Sequence, residues 1–94
     1  MASEIVHDEV RRRFVHERDG MESYLVYYPV DDRTVDFAST YTPPALRGRG
    51  IAARIVKQAL EWADANGLAV VPSCWFVAEY IEREPEWRRL LAHR

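Results

Sequence analysis

The sequence predicts an α+β domain in which three strands, a long helix, a fourth strand and two short helices follow one another. Apolar residues recur at every second position up to about residue 42 and then at helical spacing from Ile51 onward. Short polar turns separate the first three strands, which indicates an antiparallel meander. We therefore expect the order β-β-β-α-β-α-α, with a mainly antiparallel sheet and the long helix packed on one face.

The first three strands are expected at residues 9–17, 21–30 and 34–42, separated by Asp19-Gly20 and by a polar turn at residues 31–33. In the second strand, Leu25 and Tyr27 alternate with Tyr24, Val26 and Tyr28, so the two sets face opposite sides. We expect His16 to be a surface residue of the first strand. In the third strand, the predicted faces are Val35, Phe37 and Ser39 on one side and Asp36, Ala38 and Thr40 on the other.

The long helix is expected to begin at Ile51 and to end at Asn66-Gly67, because glycine adopts the left-handed conformation of a C-terminal cap at little energetic cost. Residues 68–71 form a short apolar run that predicts a buried strand. A further helix is expected beyond Pro72, and Pro85 is well placed to open a final helical turn. The three tryptophans fall in helical or helix-start positions and are predicted to be core residues: Trp62, Trp75 and Trp87.

Size and composition limit the functions that the chain can have. A length of 94 residues predicts a single domain, residues 1–94. The formal net charge is −2, which gives no argument for a nucleic-acid partner. No apolar run approaches the roughly 20 residues that cross a bilayer, so no membrane partner is expected. The start of the chain lacks the features of a signal peptide.

Cysteine and histidine usage narrows the chemistry further. Cys74 is the one cysteine, so an internal disulfide is excluded and a reducing cytoplasm is expected. His7, His16 and His93 show no ligand spacing with each other or with Cys74, so no metal site is expected.

The most informative segment is a glycine-rich turn between a strand and the long helix, Arg47-Gly48-Arg49-Gly50. Glycine backbone can approach a ligand closely, and the first N–H groups of the following helix have no intrahelical partner. The helix dipole and the two arginines favour an anion at that point. Spacing alone fits equally well a tight strand-to-helix connection with exposed arginines.

Two familiar phosphate-binding fingerprints do not fit this turn. The run from Gly48 to Ala53 matches the dinucleotide pattern G-x-G-x-x-A, but that pattern needs a parallel βαβ unit, whereas the strands before it are expected to be antiparallel. A Walker P-loop fails because the Gly-Lys-Ser/Thr ending is missing.

The turn and a later segment together resemble the GNAT acetyltransferases. The run from Arg47 to Ala52 fits their R/Q-x-x-G-x-G/A pyrophosphate loop. With Thr40-Tyr41-Thr42-Pro43 before it and residues 71–77, 80–83 and 85–86 after it, the chain is similar to the small single-domain members of that family. The resemblance implies a compact acyl-CoA N-acyltransferase fold and an N-acetyltransferase that uses acetyl-CoA and no metal.

The resemblance also implies roles for individual residues. The strand end before the loop lines the pantetheine arm, and the loop amides bind the pyrophosphate. The implied cofactor-binding residues are Tyr41, Thr42, Arg47, Gly48, Arg49, Gly50, Ile51 and Ala52. The acceptor is an unidentified amine, either a small molecule or a protein lysine, in an open and shallow site. Two departures from the family pattern are Ser39 and Glu84, each standing where relatives usually carry histidine.

Two residues are candidates for catalysis. The resemblance places Cys74 near the acetyl end of the cofactor, at the expected start of a helix, where a thiolate is favoured. It is either a covalent nucleophile that accepts the acetyl group or a small buried residue beside the ligand. Tyr80 is either the acid that protonates the departing CoA thiolate or a tyrosine packed on the core. Because Ser39 replaces the family histidine, a non-catalytic CoA-binding or interaction module is the alternative function, and a thiol-dependent sensor using Cys74 is a third.

Overall fold

The computed structural model describes residues 5–92 and contains one five-stranded sheet whose strands lie in chain order. The strands are β1 Ile5–Asp8, β2 Arg13–Arg18, β3 Met21–Asp31, β4 Thr34–Tyr41 and β5 Ala69–Val71. The first four pair antiparallel, and β5 pairs parallel with β4 because the chain crosses over between them through a helix. The prediction of a mainly antiparallel sheet is confirmed.

The helices follow the expected order. A short 3-10 turn, Pro44–Leu46, leads into α1, Ile51–Ala65, and α2 spans Trp75–Arg83. The final helical turn is a second 3-10 segment, Pro85–Leu90. Within residues 5–92, no helix is both long and apolar enough to cross a membrane.

The strand β1 was not predicted, and the first predicted strand begins too early. Residues 9–12 form a turn in which Arg12 has a φ of +56° and Val10 is 94% exposed. The spacing of Val10 and Phe14 suggested a strand face, but only Phe14 is buried. The four residues of β1 carry too little alternation to be recognised. They are held instead by tertiary contacts, since His7 stacks on Phe14 and hydrogen-bonds to the Tyr27 hydroxyl.

An irregularity in β4 changes which residues share a face. Tyr27 pairs with Phe37 and Val26 pairs with Ser39, so Ala38 is an extra residue in β4. Such a β-bulge shifts the alternation of every residue beyond it. Thr40 consequently pairs with the buried Leu25, and Ser39 is exposed on the other side. The prediction that Ser39 shares the face of Val35 and Phe37 is therefore wrong.

The two faces of the sheet differ sharply in burial. The face towards α1 forms the core together with the apolar stripe of that helix, which includes Ile55, Val56 and Ala59. On the opposite face, Val6 is 58% exposed and Tyr28 is 53% exposed. We call this the open face. By register and alternation it carries Val6, Asp8, Arg13, Val15, Glu17, Glu22, Tyr24, Val26, Tyr28, Asp36 and Ser39.

His16 is a core residue, and its prediction as a surface residue is wrong. It is fully buried on the α1 side of the sheet, opposite Ser23 in β3 and Ile5 in β1. Because β1 was not predicted, the strand that contains His16 was expected at the edge of the sheet. In the structure this strand, β2, lies between β1 and β3. Neither ring nitrogen of His16 has a hydrogen-bond partner within the described part of the chain. Burial lowers the pKa of His16, and the positive charges of Arg54 and Arg18 lower it further.

The strands β4 and β5 separate soon after they meet. They pair only from Thr34 to Asp36, and the Cys74 backbone N–H donates to the Phe37 carbonyl at 3.0 Å just beyond. Past Phe37, β4 continues to Tyr41 with no strand beside it on the β5 side among residues 5–92. We call this opening the fork.

Candidate functional site

A groove of about 660 Å³ lies where the end of β4, the glycine turn, the start of α1 and the start of α2 meet. It begins at the fork and extends to the N-terminus of α1. Its lining residues are Thr40, Tyr41, Thr42, Leu46, Arg47, Gly48, Gly50, Ile51, Ala52, Ala53, Trp75, Phe76 and Arg83.

The shape of the turn depends on its two glycines. Gly48 has a φ of +82° and Gly50 a φ of +74°, both in the left-handed region that favours glycine. Gly50 is also the N-cap of α1, so the chain reverses and enters the helix within a single residue. A Cβ at either position would meet no atom within 4 Å, which means that the space in front of the turn is open.

The N-terminus of α1 has features that favour an anion. Within the described residues, no side chain caps the helix, and its first turn contains no acidic residue. The N–H groups of the first turn are therefore available to a ligand, and the helix dipole makes that end positive. A phosphate or another anion satisfies both requirements.

Arginine side chains add positive charge to the groove. The Arg47 Nε donates to the Thr42 carbonyl at 2.9 Å, which ties the turn to the end of β4. Arg83 reaches the groove from the last position of α2 and pairs with Glu79 at 2.7 Å. The lining contains these two arginines and no carboxylate.

Seven of the eight residues that were expected to bind a cofactor line this groove: Tyr41, Thr42, Arg47, Gly48, Gly50, Ile51 and Ala52. Arg49 is exposed and does not belong to the lining. The structure thus brings the set together in one place, while its role in binding stays a prediction.

Several lining residues were missed. Thr40, Phe76 and Arg83 had not been assigned to the site, and Trp75, expected in the core, is 72% exposed and lines the groove. Trp62 and Trp87 do pack on the core. One sequence signal was available for Trp75, since it falls outside the apolar stripe formed by Val77 and Ile81 on α2.

Cys74 lies directly behind the groove. It is the N-cap residue of α2, at the helix start where it was expected, and only 8% of it is exposed. Its Sγ lies 3.5 Å from the Oγ1 of Thr40, which lines the groove. The thiol is therefore one side chain away from any ligand at the fork.

Tyr80 lies outside the lining of the groove and packs, partly buried, against the core. Burial raises the pKa of Tyr80, and the nearby carboxylates Glu84, Glu86 and Glu61 raise it further. The phenol therefore keeps its proton at neutral pH, as a proton donor must. Its catalytic role stays a prediction.

The groove offers no set of metal ligands. Across residues 5–92, no group of three His, Cys, Asp or Glu side chains is placed to hold a metal ion. His93, one of the three histidines in the sequence, lies outside the described residues.

Comparisons with known proteins show the family to which the chain belongs. A family model described as GCN5-related N-acetyl-transferase matches residues 13–90. Protein NATD1 of Homo sapiens is 35% identical over 83 residues, which cover 86% of this chain and 74% of that protein. Protein NATD1 of Gallus gallus is 34% identical over 84 residues, with 87% and 76% covered.

A solved structure supports the fold independently. The NMR solution structure of a GCN5-like protein from Staphylococcus aureus superposes with a TM-score of 0.76 at 24% identity. The match covers 97% of this chain and 89% of the other.

Proposed function

Because this chain belongs to the GCN5-related N-acetyltransferase family, we propose that it binds acetyl-CoA in the groove and transfers the acetyl group to an amine. The observation that carries the proposal is the N-terminus of α1. It is uncapped, free of acidic residues and preceded by Gly48 and Gly50, and it opens into a groove without carboxylates. These features suit the pyrophosphate of a nucleotide cofactor.

The turn and the helix start would hold the pyrophosphate. Free N–H groups of Ile51 and Ala52 and the backbone of Gly48 and Gly50 can donate to phosphate oxygens, since no Cβ stands in the way at either glycine. The Arg47 guanidinium adds charge-assisted hydrogen bonds from the side of the turn. We include Arg49 among the binding residues because its exposed side chain can swing towards the same anion.

The fork would hold the pantetheine arm. The arm is extended and contains two amide groups, and β4 from Ala38 to Tyr41 presents a backbone edge with no strand beside it on the β5 side among residues 5–92. An extended chain with amides can pair with such an edge as a strand would. Tyr41 and Thr42 line this route.

The reactive end of the cofactor would then lie near Thr40 and Cys74. Acetyl-CoA supplies an activated thioester, whose carbonyl carbon is attacked by the amine. We propose that Cys74 borders the thioester and that Tyr80, which keeps its proton at neutral pH, returns a proton to the departing thiolate. If the amine attacks the thioester directly, no acetyl-cysteine forms. If Cys74 first accepts the acetyl group and then passes it to the amine, an acetyl-cysteine is an intermediate.

A second candidate is a CoA-binding module without efficient transfer. Ser39 favours the module without efficient transfer. It stands at a position where relatives usually carry a histidine, and it lies exposed on the open face. The hydroxyl of Ser39 is a poor proton acceptor at neutral pH, so the chain lacks a histidine base there. In either case we place the protein in the cytoplasm, where Cys74 would stay reduced.

Titration calorimetry with acetyl-CoA tests the binding proposal, and Ala52→Glu is the sharpest variant. A carboxylate in the first turn of α1 repels phosphate but interacts favourably with the helix dipole. We expect binding to be lost while the protein is at least as stable as the wild type. The matched control is Ala65→Glu, at the exposed far end of the same helix, which should bind normally.

A second measurement separates the two candidate functions. The protein is incubated with acetyl-CoA and a panel of amines, and the products are examined by mass spectrometry. Acetylated amine indicates the transferase, and acetylated Cys74 indicates the covalent route. Binding with neither product supports the module, and no binding at millimolar acetyl-CoA would reject both candidates.

A further inference from the structure

We propose that a cleft at the far end of α1 from the groove is a second small-molecule site, which binds a free α-amino acid with an apolar side chain. The inference goes beyond the proposed function and does not depend on it. It concerns the turn between β1 and β2, the end of β3 and the C-terminal part of α1.

The cleft has a volume of about 240 Å³ and is separate from the groove. Trp62 of α1 lines the cleft, whereas Ile51 at the start of the same helix lines the groove. Roughly 16 Å of helix lies between these two residues, at the usual rise of an α-helix. A ligand in the cleft is therefore too far from the groove to be the acceptor of the proposed transfer.

The walls of the cleft are apolar. Tyr27 and Trp62 contribute two aromatic rings whose centroids are 5.0 Å apart. A proline ring and two aliphatic side chains complete the walls: Pro29, Val35 and Leu68. The volume equals that of roughly eight water molecules in the liquid, and a branched-chain amino acid has about as many non-hydrogen atoms. The apolar side chain of such a ligand would be removed from water between these walls.

Charged groups of both signs stand around the same cleft. Glu9 and Arg12 extend from the turn between β1 and β2, and Asp31 from the end of β3. Burial raises the pKa of Tyr27, Glu9 raises it further and Arg12 lowers it, so both charges act at the aromatic wall. An α-amino acid carries an ammonium and a carboxylate on one carbon. The two carboxylates of the cleft suit the ammonium, and the guanidinium suits the carboxylate.

Arg12 is the residue best placed to hold the ligand carboxylate. In the part of the chain that the structure describes, neither Arg12 nor Glu9 takes part in an ion pair. The adjacent Arg11 pairs with Asp8 and lines a depression on the open face instead. The φ of Arg12 is +56°, where glycine or asparagine is the less strained choice. An arginine is thus kept in an unfavourable backbone conformation, with its guanidinium free for a ligand.

A ligand with a single charge suits the cleft less well than a zwitterion does. A simple cation would leave Arg12 uncompensated, and a simple anion would face Glu9 and Asp31. A zwitterion satisfies the charged groups of both signs. The apolar walls then require that its remaining part be a hydrophobic side chain.

The first experiment compares three ligands that share one side chain: L-leucine, leucinamide, which lacks the carboxylate, and N-acetyl-leucine, which lacks the ammonium. Binding to the full-length wild type is measured by titration calorimetry and by the NMR signal of the Trp62 indole N–H, assigned with Trp62→Phe. We expect leucine to bind and to shift this signal. Each derivative should bind about tenfold more weakly or worse, because each lacks one charge-assisted hydrogen bond.

Variants locate the two ends of the ligand. Arg12→Gly removes the guanidinium and takes the positive φ without strain, so the melting temperature should not fall. Its affinity for leucine should drop about tenfold, whereas its affinity for leucinamide should not drop. The double variant Glu9→Gln with Asp31→Asn should weaken the binding of leucine but not of N-acetyl-leucine. Arg11→Gln is the matched control and should bind leucine like the wild type.

An absence of saturable leucine binding would overturn the inference, and so would equal affinities for leucine and leucinamide. Normal leucine binding by Arg12→Gly would reject it as well. Tighter binding of choline than of leucine would identify a site for simple cations instead. Shifted amide signals of Gly48 and Gly50 without a shift at Trp62 would place leucine in the groove and not in the cleft. None of these measurements contains acetyl-CoA, so a failure of the proposed function would leave their outcome unchanged.

Discussion

The hydroxyl oxygen of Thr40 lies 3.5 Å from the sulfur of Cys74, across the fork between β4 and the start of α2. The bulge at Ala38 makes this contact possible, because it turns Thr40 to the face on which Leu25 and Phe37 are buried. A regular strand would have directed Thr40 to the open face. The irregularity in β4 therefore links the groove to the single cysteine.

Replacing Thr40 by valine should slow the reaction of Cys74 with iodoacetamide. A hydroxyl that donates to sulfur stabilises the thiolate, which is the reactive form. A hydrogen bond to a charged group contributes about 1.5 kcal/mol or more, so the alkylation rate at pH 7 should fall about tenfold. Thr40→Ser keeps the hydroxyl and should react like the wild type. Equal rates in all three proteins would show that the contact does not support the thiolate.

Gly50→Ala should weaken acetyl-CoA binding, and this loss of affinity should be larger than its small effect on the free energy of unfolding can account for. Alanine at a φ of +74° costs about 1 kcal/mol of stability, since L-residues disfavour the left-handed region. The added methyl group clashes with nothing in the protein but faces the open space in front of the turn. We therefore expect a similar loss of unfolding free energy and, in addition, a clear loss of affinity by calorimetry.

The control for this experiment is Gly20→Ala. Gly20 has a φ of +75° and equally open surroundings, but it lies in the turn between β2 and β3, away from the groove. Its variant should lose about the same stability, roughly 1 kcal/mol, with no change in affinity. If both variants bind acetyl-CoA like the wild type, the turn does not contact the phosphates.

Patterns that depend on short sequence separation were predictable. The helix α1 begins at Ile51 and is capped near Asn66, as expected, because its periodic stripe and the glycines at both ends act locally. The glycine turn could be assigned as part of a site for the same reason. Seven of the residues assigned there line the groove.

The parts that could not be predicted depend on partners distant in the chain. The strand β1 is held by contacts of His7, which stacks on Phe14 and hydrogen-bonds to Tyr27. A segment of four residues has no pattern from which these distant contacts could be predicted. The bulge at Ala38 leaves the composition of β4 unchanged but reverses the faces of Ser39 and Thr40. Arg83 joins the site through the packing of α2, thirty residues or more after the turn.

Tyr80→Phe should lower kcat with no effect on acetyl-CoA affinity if Tyr80 protonates the departing thiolate. Removing a general acid typically costs about 10²-fold or more in rate. Phenylalanine preserves the packing of the ring on the core, so the melting temperature should stay near that of the wild type. An unchanged kcat would identify Tyr80 as a core residue only, in keeping with its position outside the groove lining.

The buried His16 should make the protein less stable in mild acid. Its pKa in the folded state is lowered, first by burial and then by Arg54 and Arg18, whereas in the unfolded chain it is about 6.5. Between these two pKa values the unfolded state binds more protons, so the free energy of unfolding falls as the pH drops below about 6.5 and is unaffected by this group above it. His7 acts in the same direction, since burial lowers its pKa despite the opposing charges of Glu9 and Asp8.

His16→Leu is the variant that isolates the buried group. Leucine removes the titration and also two ring nitrogens without partners, and replacing such groups by apolar ones is often neutral or stabilising. Urea unfolding at pH 5 and pH 7.5 should show a smaller difference between the two pH values than in the wild type, with the remainder due to His7. Arg54→Gln, which removes a charge that lowers the pKa of His16, should reduce the difference partially. A pH dependence identical in all three proteins would mean that His16 does not take up its proton on unfolding.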